Sequence, residues 1–117
     1  MKKLLFVTTV LFLSCAFSPQ KKTKVIFFGD SITELGIKEK PYRGYILELE
    51  DKSKAENKSD QYDFIGSGIS ANKVYDLYLR LEEDVLSKNP AVVFIYVGVN
   101  DVWHKTLLGT GTDADKF

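Results

Sequence analysis

The sequence is poor in the residues that most often staple or metallate a small protein. It contains one cysteine, Cys15, and one histidine, His104, in 117 residues. A single cysteine cannot close an internal disulfide, and one histidine cannot form a His/Cys cluster around a metal ion. Net charge is also missing. Sixteen Lys and Arg balance sixteen Asp and Glu, which leaves no electrostatic footprint for nucleic acid. There is no Gly-x-Gly-x-x-Gly stretch and no P-loop lysine motif, so the two commonest phosphate cradles are absent. Internal repeats and low-complexity segments are lacking as well, which argues against a solenoid or an array. What remains is the composition of one small globular domain, with 44% apolar and 27% charged residues.

The first twenty residues differ in kind from the rest. Lys2-Lys3 precede an apolar run from Leu4 to Leu13 that only Thr8 and Thr9 interrupt. The run is too short to span a bilayer and has the pattern of a secretory signal. Cys15 follows in Phe12-Leu13-Ser14-Cys15-Ala16. This placement resembles a bacterial lipoprotein signal, in which the cysteine is lipidated and becomes the mature N-terminus, although Phe12 stands where an aliphatic residue is usual. A lipoprotein signal, an ordinary cleaved signal and an uncleaved anchor are the three readings open here. Each predicts an exported bacterial protein, membrane-anchored or free in the periplasm or outside the cell. Residues 1–20 are read as signal and tether, and residues 21–117 as the folded part. Membrane contact is expected only through the leader or its lipid.

Along the folded part, Val25-Ile26-Phe27-Phe28 reads as a short buried strand that Gly29-Asp30-Ser31 ends at once. Pro41 suits a first helical turn, and Tyr45, Ile46 and Leu49 recur at helical spacing, which predicts a helix over 41–55. Tyr62 to Ile65 is a second strand, ended by Gly66-Ser67-Gly68. Asn72 is a candidate N-cap for a helix over 73–88. Its stripe is Val74, Leu77, Tyr78, Leu81 and Val85, with Arg80, Glu82, Glu83 and Lys88 facing away. Asn89-Pro90 stops it. Ala91 to Val97 is an unbroken apolar run and reads as a strand covered on both faces of a parallel sheet. Residues 98–117 show no clear helix or strand. The order is strand, helix, strand, helix, strand: an α/β, flavodoxin-like, three-layer fold with a parallel sheet. The absence of a closing element predicts the N-terminal portion of a larger fold.

Each strand ends in a polar turn: Gly29-Asp30-Ser31, then Gly66-Ser67-Gly68-Ile69-Ser70, then Gly98-Val99-Asn100-Asp101. In a parallel sheet the three turns share one edge, and that edge is where ligands bind in open α/β folds. A hydroxyl, a glycine N–H and a carboxamide meeting there is what acyl transfer requires. All three turns are also built of ordinary turn residues, and a plain loop is the competing reading of each. Asp30 and Asp101 read as carboxylates that brace loops by accepting backbone N–H bonds; without a His or Cys cluster they predict no metal.

With these motifs the chain resembles the SGNH hydrolases, the GDSL esterase/lipase family. Phe28-Gly29-Asp30-Ser31-Ile32-Thr33 looks like the first family block, with Ile32 for leucine. Gly68-Ile69-Ser70 looks like the second, with Ala71 where a second glycine is common. Gly98-Val99-Asn100-Asp101 matches the third. The resemblance implies a serine esterase without cofactor that hydrolyses acetyl or acyl esters. Ser31 would be the nucleophile. Its N–H, the Gly68 N–H and the Asn100 side chain would form the oxyanion hole. Small-molecule, lipid or acetylated-glycan esters are the implied substrates.

The family's base lies in an Asp-x-x-His block near the C-terminus; the Asp-x-x-His spacing present here, Asp101-Val102-Trp103-His104, overlaps the third block instead. A serine hydroxyl without an adjacent base is a poor nucleophile, so this chain alone is expected to be inactive. His104 has three readings: a base approaching Ser31, a pocket wall shared with Trp103, or an ordinary loop residue. Two rival functions stay open, a flavodoxin-like sugar- or phosphate-binding module and a catalytically silent fragment.

Overall fold

The computed structural model describes residues 20–117. The leader and Cys15, with their three readings, lie outside the described residues. The fold is built on β1 (Thr23–Gly29), which pairs in parallel with β2 (Tyr62–Gly68) on one side and β3 (Val92–Tyr96) on the other. Alternation along β1 sends Ile26 and Phe28 to one face and Val25 and Phe27 to the other. All four are buried, and full burial of such side chains stabilises by roughly 1.5–3 kcal/mol each.

A helix covers each face. On one, Ile26 and Phe28 pack with Leu77 of α3 (Val74–Asp84) and with Val85 just beyond it. On the other, Val25 and Phe27 pack with Ile46 of α2 (Tyr45–Ala55) and with Phe64. This is the three-layer, parallel α/β arrangement the sequence implies. Phe27 also stacks on Phe94 of β3, with ring centroids 5.2 Å apart.

Several boundaries differ from the sequence reading. A short helix, α1 (Ser31–Leu35), begins directly after β1 because Asp30 caps it through a bond from the Ile32 N–H at 3.0 Å. Helix α2 begins at Tyr45 rather than Pro41. The Gly44 N–H donates to the Lys38 carbonyl at 2.8 Å and the Ile46 N–H to the Gly36 carbonyl at 3.0 Å, which closes residues 38–44 into a loop. Strand β2 runs on through Gly66-Ser67-Gly68, whose register continues to the Gly29–Gly68 pair.

Helix α3 starts at Val74 with Lys73 at its cap, where the Asp76 carboxylate accepts the Lys73 N–H at 2.8 Å. Asn72 is not the cap, because its side chain is engaged by Arg80. The helix ends at Asp84, and a 3-10 turn over Leu86–Lys88 completes the predicted span. Two of its assignments reverse: Tyr78, read as inward, is exposed, and Arg80, read as outward, is partly buried. Strand β3 is not covered on both faces among the described residues, for every residue from Val92 to Tyr96 is exposed.

The largest correction is α4 (Val99–Leu108), in a stretch where the sequence shows no evident element. Gly98 makes the entry at φ 128, a backbone setting that favours glycine. Asp101 lies in the first turn and Lys105 in the last, each complementing the helix dipole. Gly109 ends the helix at φ 69, donating its N–H to the Lys105 carbonyl at 3.2 Å. No described helix is long and apolar enough to cross a membrane.

Candidate active site

The carboxyl ends of β1, β2 and β3 bring Ser31, the Gly68–Asn72 segment and Asn100 to one edge of the sheet. Ser31 is the first residue of α1 and half-buried. Asp30, fully buried, holds the start of this helix with both its side chain and its carbonyl, which accepts the Glu34 N–H at 3.0 Å. Ser31 is thereby fixed as the first helical residue beyond the strand. The Asp30 Oδ2 atom is buried without a hydrogen-bond partner among the described residues.

Asn100 is 6% exposed and lies in the first turn of α4. Its Nδ2 donates to the Asn72 carbonyl at 2.9 Å. That bond fixes the carboxamide plane and leaves the second N–H of the same nitrogen available to a ligand. Asp101 beside it is 2% exposed. Its carboxylate accepts the Val74 N–H at 3.2 and 3.3 Å and the Thr112 N–H at 3.0 Å. Asp30 and Asp101 are thus both loop-bracing acceptors of backbone N–H groups. Among the described residues no three His, Cys, Asp or Glu side chains gather as a metal site.

Gly68 reaches this edge but does not aim its N–H into it. The Ile69 N–H donates to the Gly29 carbonyl at 3.1 Å, across to β1. N–H directions alternate along a strand, so the Gly68 N–H points the other way, out from the free side of β2. The role of Gly68 is steric. A Cβ there would come within 2.1 Å of the Glu34 nitrogen and 2.7 Å of the Asp30 carbonyl oxygen. Glycine lets β2 lie directly against the backbone of α1.

The next residues supply the donor instead. The Ser70 N–H and hydroxyl both donate to Glu34 Oε2, at 2.7 and 2.6 Å. The Asn72 N–H donates to the Ile69 carbonyl at 3.3 Å, closing a four-residue turn with Ala71 at its third position and φ 64. A positive φ at that position marks a type II turn. The Ala71 N–H is the one in this turn that is committed neither to the ladder nor to Glu34 nor to the turn itself. The uncommitted N–H of this turn is therefore that of Ala71. The signal in the sequence was Ala71 occupying a place where glycine is common.

Trp103, largely exposed, and His104, half-buried, follow Asn100 by three and four positions and so share its side of α4. Arg80, read from the sequence as facing away, lies partly buried at the same edge with its guanidinium carbon 4.5 Å from the centre of the Phe28 ring.

A parallel α/β sheet with a helix on each face, whose carboxyl edge carries a serine, a turn and a fixed carboxamide, defines the class by its fold: a three-layer α/β protein. The sequence model of the GDSL-like lipase/acylhydrolase family matches residues 27–114, and the chain belongs to that family. It is 35% identical over 91 residues to an acetylxylan esterase of Geobacillus stearothermophilus, covering 70% of this chain and 41% of that protein. Among solved structures it resembles the acetyl xylan esterase AlAXEase, with TM-score 0.74 and 62% identity over 80% of this chain and 46% of the other. It also resembles a W215I variant of the Geobacillus stearothermophilus acetyl xylan esterase Axe2, with TM-score 0.69 and 32% identity, covering 80% of this chain and 49% of that one. The chain spans somewhat less than half the length of these relatives.

Proposed function

We propose that this protein is an exported serine esterase of the SGNH type that removes acetyl groups from a carbohydrate. Ser31 is the nucleophile in this reading. The Ser31 N–H, the Ala71 N–H and the Asn100 carboxamide receive the oxygen that becomes negative as the tetrahedral intermediate forms. The observation that carries the proposal is the Asn100–Asn72 bond, which ties the third turn to the second at the sheet edge that also carries Ser31. The names of the relatives favour acetylated glycans over long-chain lipids as substrates. Export is supported by the Lys2-Lys3 and Leu4–Leu13 leader, and lipidation by the placement of Cys15.

The serine needs a base. The chain's own candidate is His104. The alternative is a family-type Asp-x-x-His block in the full-length protein, and we favour it because no orienting carboxylate is hydrogen-bonded to His104 among the described residues. The reaction needs no cofactor.

The test uses full-length protein with p-nitrophenyl acetate, acetylated xylo-oligosaccharides and a fluorophosphonate label. We expect Ser31-dependent turnover and labelling, both lost in Ser31→Ala. Activity that survives Ser31→Ala would remove the nucleophile assignment. Hydrolysis of long acyl esters in preference to acetylated sugar would overturn the substrate class.

A further inference from the structure

We propose that Arg80 is a positioning residue that clamps the ends of β1 and β2 and so sets the place of the Ser31 turn. Its guanidinium is engaged on nearly every side. Nη2 donates to the Gly29 carbonyl at 2.8 Å and to the Ser67 carbonyl at 3.2 Å. Nη1 reaches the same Ser67 carbonyl at 3.3 Å and the Ser67 hydroxyl at 3.4 Å. Nε donates to Asn72 Oδ1 at 2.8 Å. Asp84, one helical turn along, pairs with Nη1, and the Phe28 ring lies beneath the cation.

One planar group therefore joins the last carbonyl of β1, the penultimate residue of β2 and the turn that holds Ala71. Gly29 is two residues before Ser31, and its carbonyl also accepts the Ile69 N–H. Any drift of Arg80 removes one of the two donors to that carbonyl and loosens the nucleophile turn against the donor turn.

Asp84 orients the clamp. Burial opposes ionisation of its carboxyl, but the bonds from Arg80 and Ser67, with the charges of Arg80 and Lys88, outweigh it and hold Asp84 below the usual aspartate range. Lysine cannot replace the guanidinium here. A single ammonium lacks the planar fork that meets two carbonyls and a carboxamide from one rigid group.

The kinetic consequence rests on the esterase reading; the structural one rests on these contacts alone. The experiment compares full-length wild type, Arg80→Lys and Arg80→Ala by steady-state kinetics, thermal unfolding, and amide hydrogen exchange of the segments 29–35 and 66–72. A displacement near 1 Å costs a factor on the order of 100 in rate, so kcat is expected to fall about 100-fold with KM little changed. Exchange should rise in the two edge segments while α2 stays protected. Arg80→Lys should recover thermal stability without recovering kcat, and it carries the test if Arg80→Ala does not fold. An unchanged kcat in Arg80→Lys, or a loss that follows a uniform rise in exchange across the protein, would overturn the clamp. If wild type lacks Ser31-dependent turnover, the esterase reading falls and exchange alone decides: unchanged protection of both segments in Arg80→Lys would sink the proposal.

Discussion

Ala71→Gly isolates the cost of the one non-glycine residue that the candidate donor turn holds at a left-handed setting. Ala71 has φ 64 at the third position of the Ile69–Asn72 turn. For an L-residue that setting costs roughly 1–2 kcal/mol, from Cβ crowding the following carbonyl. Glycine removes the crowding but loses more chain entropy on folding, roughly 0.5–1 kcal/mol relative to alanine. Ala71 is exposed, so deletion of its methyl opens no cavity. The difference is a stabilisation of about 0.5–1 kcal/mol in Ala71→Gly. For a full-length protein about twice as long as this chain that is a rise in Tm of about 1–4 °C. Differential scanning calorimetry of the two full-length proteins measures it, with urea unfolding as a second reading of the same difference. A Tm equal to or below wild type would show that the turn does not hold Ala71 left-handed. The type II assignment, and with it the donor role given to the Ala71 N–H, would then be wrong.

Three further outcomes follow from the same edge. Asn100→Ala should reduce kcat by roughly 100- to 1000-fold, the scale for one oxyanion donor; steady-state kinetics that show only a raised KM would make Asn100 a binding residue instead. Asp101→Ala leaves the Val74 and Thr112 N–H groups without their acceptor, which should cost about 2–4 kcal/mol in urea unfolding; a loss near zero would mean that water replaces the carboxylate. The Ser70 hydroxyl and then the Ser70 N–H hold the Glu34 carboxyl below its ordinary value of 4.5. Because the folded value is the lower one, the Glu34–Ser70 tie is fully present above about pH 4.5 and is lost as the pH falls through the depressed value. Amide exchange of residues 69–72 against pH reads this, and Glu34→Gln should remove the acid step; a step that survives Glu34→Gln belongs to another group.

The strands were legible because their signal is local. Val25 to Phe28 is apolar on both faces and is bounded by Gly29, and Val92 to Val97 is bounded by Pro90 and Gly98. Helix α4 was not, because its first residues, Gly98, Val99, Asn100 and Asp101, are also loop residues. The features that settle it, a glycine at φ 128 and a left-handed Gly109, appear only in the backbone. Pro41 misled for a similar reason. It suits a first helical turn, but the Gly36 carbonyl takes the Ile46 N–H and sets the helix start later. Arg80 was hidden by its residue type. A charged side chain beside Leu77 and Leu81 reads as solvent-facing, and nothing nearby in sequence announces the two carbonyls it reaches.

What fixes the candidate site is therefore a set of bonds between turns rather than within them. Glu34 holds Ser70 across 36 positions, Asn100 holds Asn72 across 28, Asp101 holds Val74 across 27 and Arg80 holds Gly29 across 51. Periodicity and capping rules look across a few residues, so they place each turn on the sheet edge but cannot register one turn against another. The distinction matters for chemistry. A donor aimed before the substrate arrives costs no reorganisation as negative charge develops. Each of these four bonds holds one segment of the sheet edge to another with no ligand present. The Gly68-to-Ala71 correction has the same origin. Gly68 ends β2 and Ala71 lies in the turn that follows, and only the bonds that turn makes to β1 and to Glu34 show which of its N–H groups is left free.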